Sequence, residues 1–164
     1  GSWVTGRESG IRQRPYDSQY PGTFGDIGKG TGQVAGADNA DLSYQEVHDV
    51  GEIWCAALMQ VTRGVGAALG SRERGYRLTW QAVVDGLKLT PRNPSFLTAR
   101  DAVLRAFRSM KGTGRLPDSE YPAVRDAAWE AFARFGMGFD ASCPNATFSG
   151  CRSGAALPPA GAED

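Results

Sequence analysis

The segment from Tyr44 to Val61, YQEVHDVGEIWCAALMQV, constrains this chain more than any other, because its apolar residues repeat with helical period and the single histidine of the sequence sits near its start. Tyr44, Val47, Ile53, Trp54, Ala57, Leu58 and Val61 recur at spacings of three and four, which is one stripe of an amphipathic helix. A stripe that apolar has to be covered, so further helices are required to build a core. His48, Glu52, Cys55 and Met59 fall on a neighbouring face, which presents the imidazole beside the buried seam within the first turn or two. The pattern by itself fits a hydrogen-bonded structural histidine as well as a functional one.

The covering elements follow downstream. Gly64, Gly66 and Gly70 are expected to loosen the end of the first helix. Tyr76 to Leu89 shows helical spacing through Leu78, Ala82, Val83 and Leu87, with Gly86 permitting a close approach of a neighbour. Asn93-Pro94 reads as an N-cap and first-turn pair, opening a third helix whose buried stripe is Phe96, Ala99, Val103, Leu104 and Phe107. Asp118 or Ser119 starts a fourth, burying Val124, Ala127, Ala128, Ala131, Phe132 and Phe135 before Gly136 stops it. With no alternating segment convincing as a strand, the fold class is mainly α, a helical bundle-like lobe. Residues 1–43, rich in Gly, Asp, Ser and Pro, form a long irregular segment before the lobe of residues 44–140. Residues 141–164 hold a short cysteine loop and a tail of linker composition, SGAALPPAGAED, expected to fray.

Charge and composition exclude several classes of partner. The chain is 41% hydrophobic and 22% charged with a net charge of zero, which gives no global electrostatic case for nucleic acid or an anionic membrane. No apolar run is long enough to span a bilayer, and the Gly-Ser-Trp start without a leader-like segment reads as a piece of a longer protein. Cys143 and Cys151 bound the loop CPNATFSGC, which fits a disulfide made in an oxidising compartment; two free thiols are the other reading. Asn145-Ala-Thr147 is a glycosylation sequon, and Cys55 on the first helix reads as a small packed hydrophobe. The glycines of GTFGDIGKGTG have the wrong spacing for a phosphate loop, and Lys29 is followed by Gly30 rather than Ser or Thr. Asp38-Asn39-Ala40-Asp41 lacks the remaining ligands and the glycine of a calcium loop.

Several motifs, in order, carry a more specific likeness. Val47-His48-Asp49-Val50-Gly51-Glu52-Ile53-Trp54-Cys55-Ala56 is followed by Val84-Asp85-Gly86-Leu87-Lys88-Leu89, Pro91, Asn93-Pro94-Ser95-Phe96 and Ala99-Arg100-Asp101-Ala102-Val103-Leu104. Together they resemble the C-terminal lobe of the fungalysin family, secreted zinc metallopeptidases of thermolysin-like, gluzincin architecture. The likeness runs from about Gly10 to Asp140.

The resemblance implies that His48 faces the zinc across a cleft and donates a hydrogen bond to the developing oxyanion of a polypeptide substrate. It implies an acid that orients the imidazole, with Asp41 the candidate and Asp49 the alternative near the helix N-terminus. In Arg12-Gln13-Arg14-Pro15-Tyr16, a basic side chain, Arg14 or Arg12, would bind a substrate peptide carbonyl. Glu46 and Glu52 read as a solvated helical face. One histidine makes a His-Glu-x-x-His motif impossible, and there is no C-x-x-C pair, so no metal ligands are expected here. Zinc would belong to the complete parent enzyme, bound by its N-terminal lobe, with this lobe alone inactive and the whole protein extracellular. The alternative is a non-catalytic helical interaction module that kept the fold.

Overall fold

The computed structural model describes residues 2–6, 8, 10–144, 146–148 and 150–162. Asn145 of the sequon lies outside them. Among the described residues there are five α-helices: α1 (Ser2–Thr5), α2 (Val47–Ala68), α3 (Arg72–Leu89), α4 (Phe96–Gly112) and α5 (Tyr121–Arg134), with short 3-10 turns at Phe24–Asp26 and Ala37–Asn39. No strand occurs among them, only two isolated bridges near the C-terminus. The mainly helical class is therefore as the sequence implies. α2 packs on α3 and α5, and α4 packs on the same two helices, so the four long helices close a ring around one core.

That core contains much of the expected stripe. Ile53, Ala57 and Val61 of α2, Val103, Leu104 and Phe107 of α4, and Val124, Ala128 and Phe132 of α5 are buried. Close helix contact is made by glycine. A Cβ at Gly75 of α3 would collide with the backbone of Gly66 in α2, and one at Gly86 would lie 3.2 Å from the Val103 nitrogen of α4. Gly64 and Gly66 thus do not loosen α2, which runs through them to Ala68; they let its neighbours approach.

Three sequence expectations shift. Tyr44 has the spacing of the α2 stripe but precedes the helix: its N–H donates to Lys29 O at 2.8 Å and its carbonyl accepts from Gly28 at 2.8 Å. Its ring is fully buried, with the hydroxyl 3.3 Å from that of Tyr20. Val47 is 76% exposed instead of facing the core. α4 is capped by Ser95, whose Oγ accepts from Thr98 N at 3.2 Å; Asn93 takes a left-handed φ of 55° in the turn before it.

The flanking segments are irregular yet anchored. Tyr20, Phe24, Val34 and Leu42 enter the core, and Phe24 N donates to Phe135 O at 2.8 Å at the end of α5. Asp26, within the glycine-rich stretch GTFGDIGKGTG, is buried and accepts from Thr23 and from Lys29. Burial opposes its ionisation, but the Lys29 and Thr23 bonds hold its carboxyl below the usual range. The tail, expected to fray, bonds back: Gly138 N to Gly154 O at 2.8 Å, Phe139 N to Ala156 O at 2.7 Å, and Arg125 to Ala162 O at 2.8 Å. Cys143 and Cys151 are joined in a disulfide, with Cα atoms 4.1 Å apart.

Candidate functional site

The head of α2 and the two irregular segments crossing it form the candidate site. Glu46 caps the helix, accepting from the His48 N–H at 2.8 Å. The histidine is two positions after the cap, so the same carboxylate also reaches the ring: His48 Nδ1 lies 2.9 Å from Glu46 Oε2 and 3.0 Å from Oε1. With Glu46 accepting from Nδ1–H, Nε2 is the nitrogen left to act on a ligand, and it donates there when the ring is protonated. His48 is 71% exposed at its side chain, presented outward rather than packed. The helix-capping bond draws the Glu46 carboxyl below its usual range, and the imidazole adds to this.

Asp41, the expected orienter, is engaged elsewhere. Its Oδ1 accepts from Arg14 Nη2 at 2.7 Å, and Arg14 also donates to Asp38 O at 3.2 Å and to Gln13 O at 2.9 Å. The structure therefore joins Arg14 with Asp41, and His48 with Glu46. At Asp49, burial and the neighbouring Glu46 push the carboxyl up, and the charge of His48 opposes them. Arg12 places its guanidinium 5.1 Å from the centre of the Tyr16 ring. Two depressions open nearby: one of about 380 Å³ lined by Arg14, Tyr20 and Asp38, the other of about 540 Å³ lined by Tyr44, Val47, Val50 and Phe96.

Glu52 is the residue that the sequence reading misplaced most. It lies on the first helix one turn beyond His48, where a solvated carboxylate was expected, but it is only 4% exposed. Both its oxygens accept from Gln13 N, at 2.9 and 3.1 Å, and the Tyr20 hydroxyl donates to it at 3.3 Å. Gln13 in turn bonds Ser43 in both directions, at 2.7 and 3.0 Å. One buried carboxylate thus fixes the segment carrying Arg12 and Arg14 against the helix that carries His48. The available signal was that Glu52 precedes Ile53 and Ala56, which flank it on the buried side. Cys55 is exposed, and burial around its thiol pushes it above the usual range, opposite to what an activated nucleophile needs.

Burial raises the Glu52 carboxyl above its ordinary range, against the opposing bond from Gln13 N–H. The folded chain therefore holds this proton more tightly than the unfolded chain. The contribution is fully present below the ordinary glutamate pKa of about 4.3 and is lost as pH rises through the elevated folded value. Glu52→Gln keeps an acceptor for Gln13 and removes the titration. Urea unfolding from pH 4 to 7 should show the variant gaining on the wild type as pH rises, by about 1.4 kcal/mol per unit of pKa elevation. A stability difference that is constant with pH would contradict this assignment.

The sequence profile of the fungalysin metallopeptidase (M36) family matches residues 1–141. This chain belongs to that family. Among curated relatives, Extracellular metalloproteinase 4 of Arthroderma otae is 30% identical over 157 residues, covering 87% of this chain and 21% of that protein. Extracellular metalloproteinase 9 of Coccidioides posadasii is 29% identical over 127 residues, covering 68% and 18%. Extracellular metalloproteinase of Pyrenophora tritici-repentis is 26% identical over 154 residues, covering 84% and 20%. The chain thus spans about a fifth of the length of these relatives. A fungalysin implies zinc, but the donor set here does not fit it: the chain has one histidine, and among the described residues no group of three or more His, Cys, Asp or Glu is placed to hold a metal ion. No helix in the described residues is long and apolar enough to cross a membrane.

Proposed function

We propose that this chain is the C-terminal helical lobe of an extracellular zinc metalloendopeptidase, facing polypeptide substrate across a cleft whose metal ligands lie in an N-terminal lobe of the same parent. The observation that carries the reading is His48: the only histidine of a fungalysin-family chain, outward at the head of α2, with Nδ1 held by a carboxylate. A ring anchored at one nitrogen presents the other in a fixed direction, which is what an oxyanion donor requires. Glu46 takes the orienting role first given to Asp41. Asp41 instead steadies Arg14, whose guanidinium would meet a substrate carbonyl at the rim, and Glu52 holds the backbone beneath it. The lobe thereby supplies donors and shape. Extracellular location is supported by the names of the relatives, all of them extracellular metalloproteinases.

The test separates the lobe from the parent. The isolated chain should hold no stoichiometric zinc and should leave a fluorogenic peptide uncleaved, whereas the parent should carry zinc and hydrolyse the same peptide in a chelator-sensitive way. Stoichiometric zinc with chelator-sensitive hydrolysis in the isolated chain would sink the lobe assignment. A parent without zinc-dependent hydrolysis would return the chain to the interaction-module reading.

A further inference from the structure

The depression of about 540 Å³ beside the head of α2 is completed by a segment that the family profile does not reach. It is lined by Val47, Val50 and Gly51 of α2, by Ile27 and Phe96, and by Phe148. Phe148 comes from the Cys143–Cys151 loop, beyond the residues 1–141 that match the profile. The disulfide closes this loop and the Phe148 ring seats it, packing edge-on with its centre 5.3 Å from that of Phe96 and 6.3 Å from that of Phe24. Phe96 meets Trp54 of α2 in turn, at 5.4 Å between ring centres. An aromatic cluster packed against the core thus holds the loop at this depression.

Position and chemistry select the occupant. At about 100° per residue, His48 stands on α2 between Gly51 on one side and Glu52 on the other. Glu52 faces the segment of Arg12 and Arg14 through Gln13 N, whereas Gly51 lines the depression. A polypeptide that meets both Arg14 and His48 therefore runs on toward it. None of its described lining residues is charged, while the depression on the Arg14 side includes Asp17 and Asp38 as well. An ionised side chain would lose its hydration here without gaining a partner, and an apolar one gains by burial. A missing side chain keeps the space open. A Cβ at Gly51 would meet nothing within 4 Å, unlike one at Gly75 or Gly86, so this glycine serves no close helix contact.

Resting on the cleft reading above, we propose that this depression is a subsite for a large apolar side chain of the polypeptide substrate, and that Phe148 of the disulfide loop sets its width. In the complete parent, kcat/KM is measured on fluorogenic peptides in which each position in turn carries Ala, Leu, Phe or Trp. At one position the wild type should favour Leu and Phe over Ala. Gly51→Leu fills the depression and suits a helix better than glycine does; it should cut that preference at least about 10-fold, the lower end of what one misfitting methylene costs in an apolar pocket. Gly51→Ala should shift it the same way by less, which keeps the test intact if the leucine variant folds poorly. Phe148→Ala removes one wall and should move the same position toward Trp instead. Damage to the fold or loss of zinc slows every peptide alike, so opposite shifts at a single position report the subsite. A wild type without such a preference, a preference that Gly51→Leu and Gly51→Ala leave unchanged, or an equal slowing of every peptide, as when the parent's other lobe lies on this face, would overturn the subsite while His48→Ala still tests the oxyanion role. A parent that cleaves no peptide would overturn both.

Discussion

His48→Ala in the complete parent enzyme should lower kcat by roughly 10²- to 10³-fold, the scale of deleting one oxyanion donor. The side chain is 71% exposed and bonds through Nδ1 to Glu46. It contributes little to the core, so the variant should fold and melt close to the wild type. Zinc content should hold, because in the proposed arrangement His48 is no ligand. KM should move little, since a hydrogen bond made chiefly in the transition state acts on kcat. Glu46→Gln supplies the positioning control: the ring remains and its anchor weakens, so the loss should be smaller and in kcat again. The decisive measurement is kcat, KM and metal content on one purified preparation, normalised to its folded fraction. Zinc lost with His48→Ala would make the residue a ligand. An unchanged kcat would make it a surface histidine at a helix cap.

Periodicity located the bundle because the four long helices bury residues at regular offsets, as Ile53, Ala57 and Val61 do in α2. It failed wherever burial is not helical. Tyr44 matches the α2 spacing yet is held outside the helix by bonds to Lys29 and Gly28, contacts that no local pattern encodes. Tyr20, Phe24, Val34 and Leu42 reach the core from a segment without a period, so their burial depends on where the chain is pinned. Leu87 has core spacing in α3 but points outward, because α3 meets its neighbours through Gly75 and Gly86 on the other side. His48 was singled out in the sequence by the ordered motifs around it. Its carboxylate contact was not: the candidates were Asp41 and Asp49, with Glu46 read as solvated, and Glu46 reaches the ring because it caps the helix by accepting the His48 N–H. Glu52 looked solvated because the group that buries it, the backbone at Gln13, lies 39 residues away in sequence.

Arg100→Leu should destabilise the isolated chain by about 4 kcal/mol, close to 10 °C in Tm for a domain of this size. Arg100 belongs to the Ala99-Arg100-Asp101 run near the start of α4, and in the fold its side chain is 8% exposed. Nη1 donates to Met137 O at 2.9 Å and to Gly138 O at 2.7 Å, and the guanidinium lies 4.8 Å from the centre of the Trp129 ring. Met137 and Gly138 follow α5, in the turn where Gly138 N donates to Gly154 O and Gly154 N donates to Gly136 O, the bonds that hold the tail. Removing the guanidinium leaves two buried carbonyls without this donor, and each charge-assisted bond of that kind is worth about 1.5 to 3 kcal/mol. The cation–π contact adds roughly 1 to 2 kcal/mol, and the terms overlap because one group makes them all. Asp101, 47% exposed, rehydrates when its partner goes and adds little. A leucine fills much of the volume, which isolates the polar loss from a cavity effect. Arg100→Lys keeps the charge without the planar fork, so it should recover only part of the loss. Amide exchange gives the local signature: Gly138, Phe139 and Gly154 should exchange faster in Arg100→Leu by more than the global loss accounts for, because their turn loses its anchor before the bundle unfolds. A Tm within 2 °C of wild type, or unaltered protection at those three amides, would mean that the α5 turn stands without Arg100.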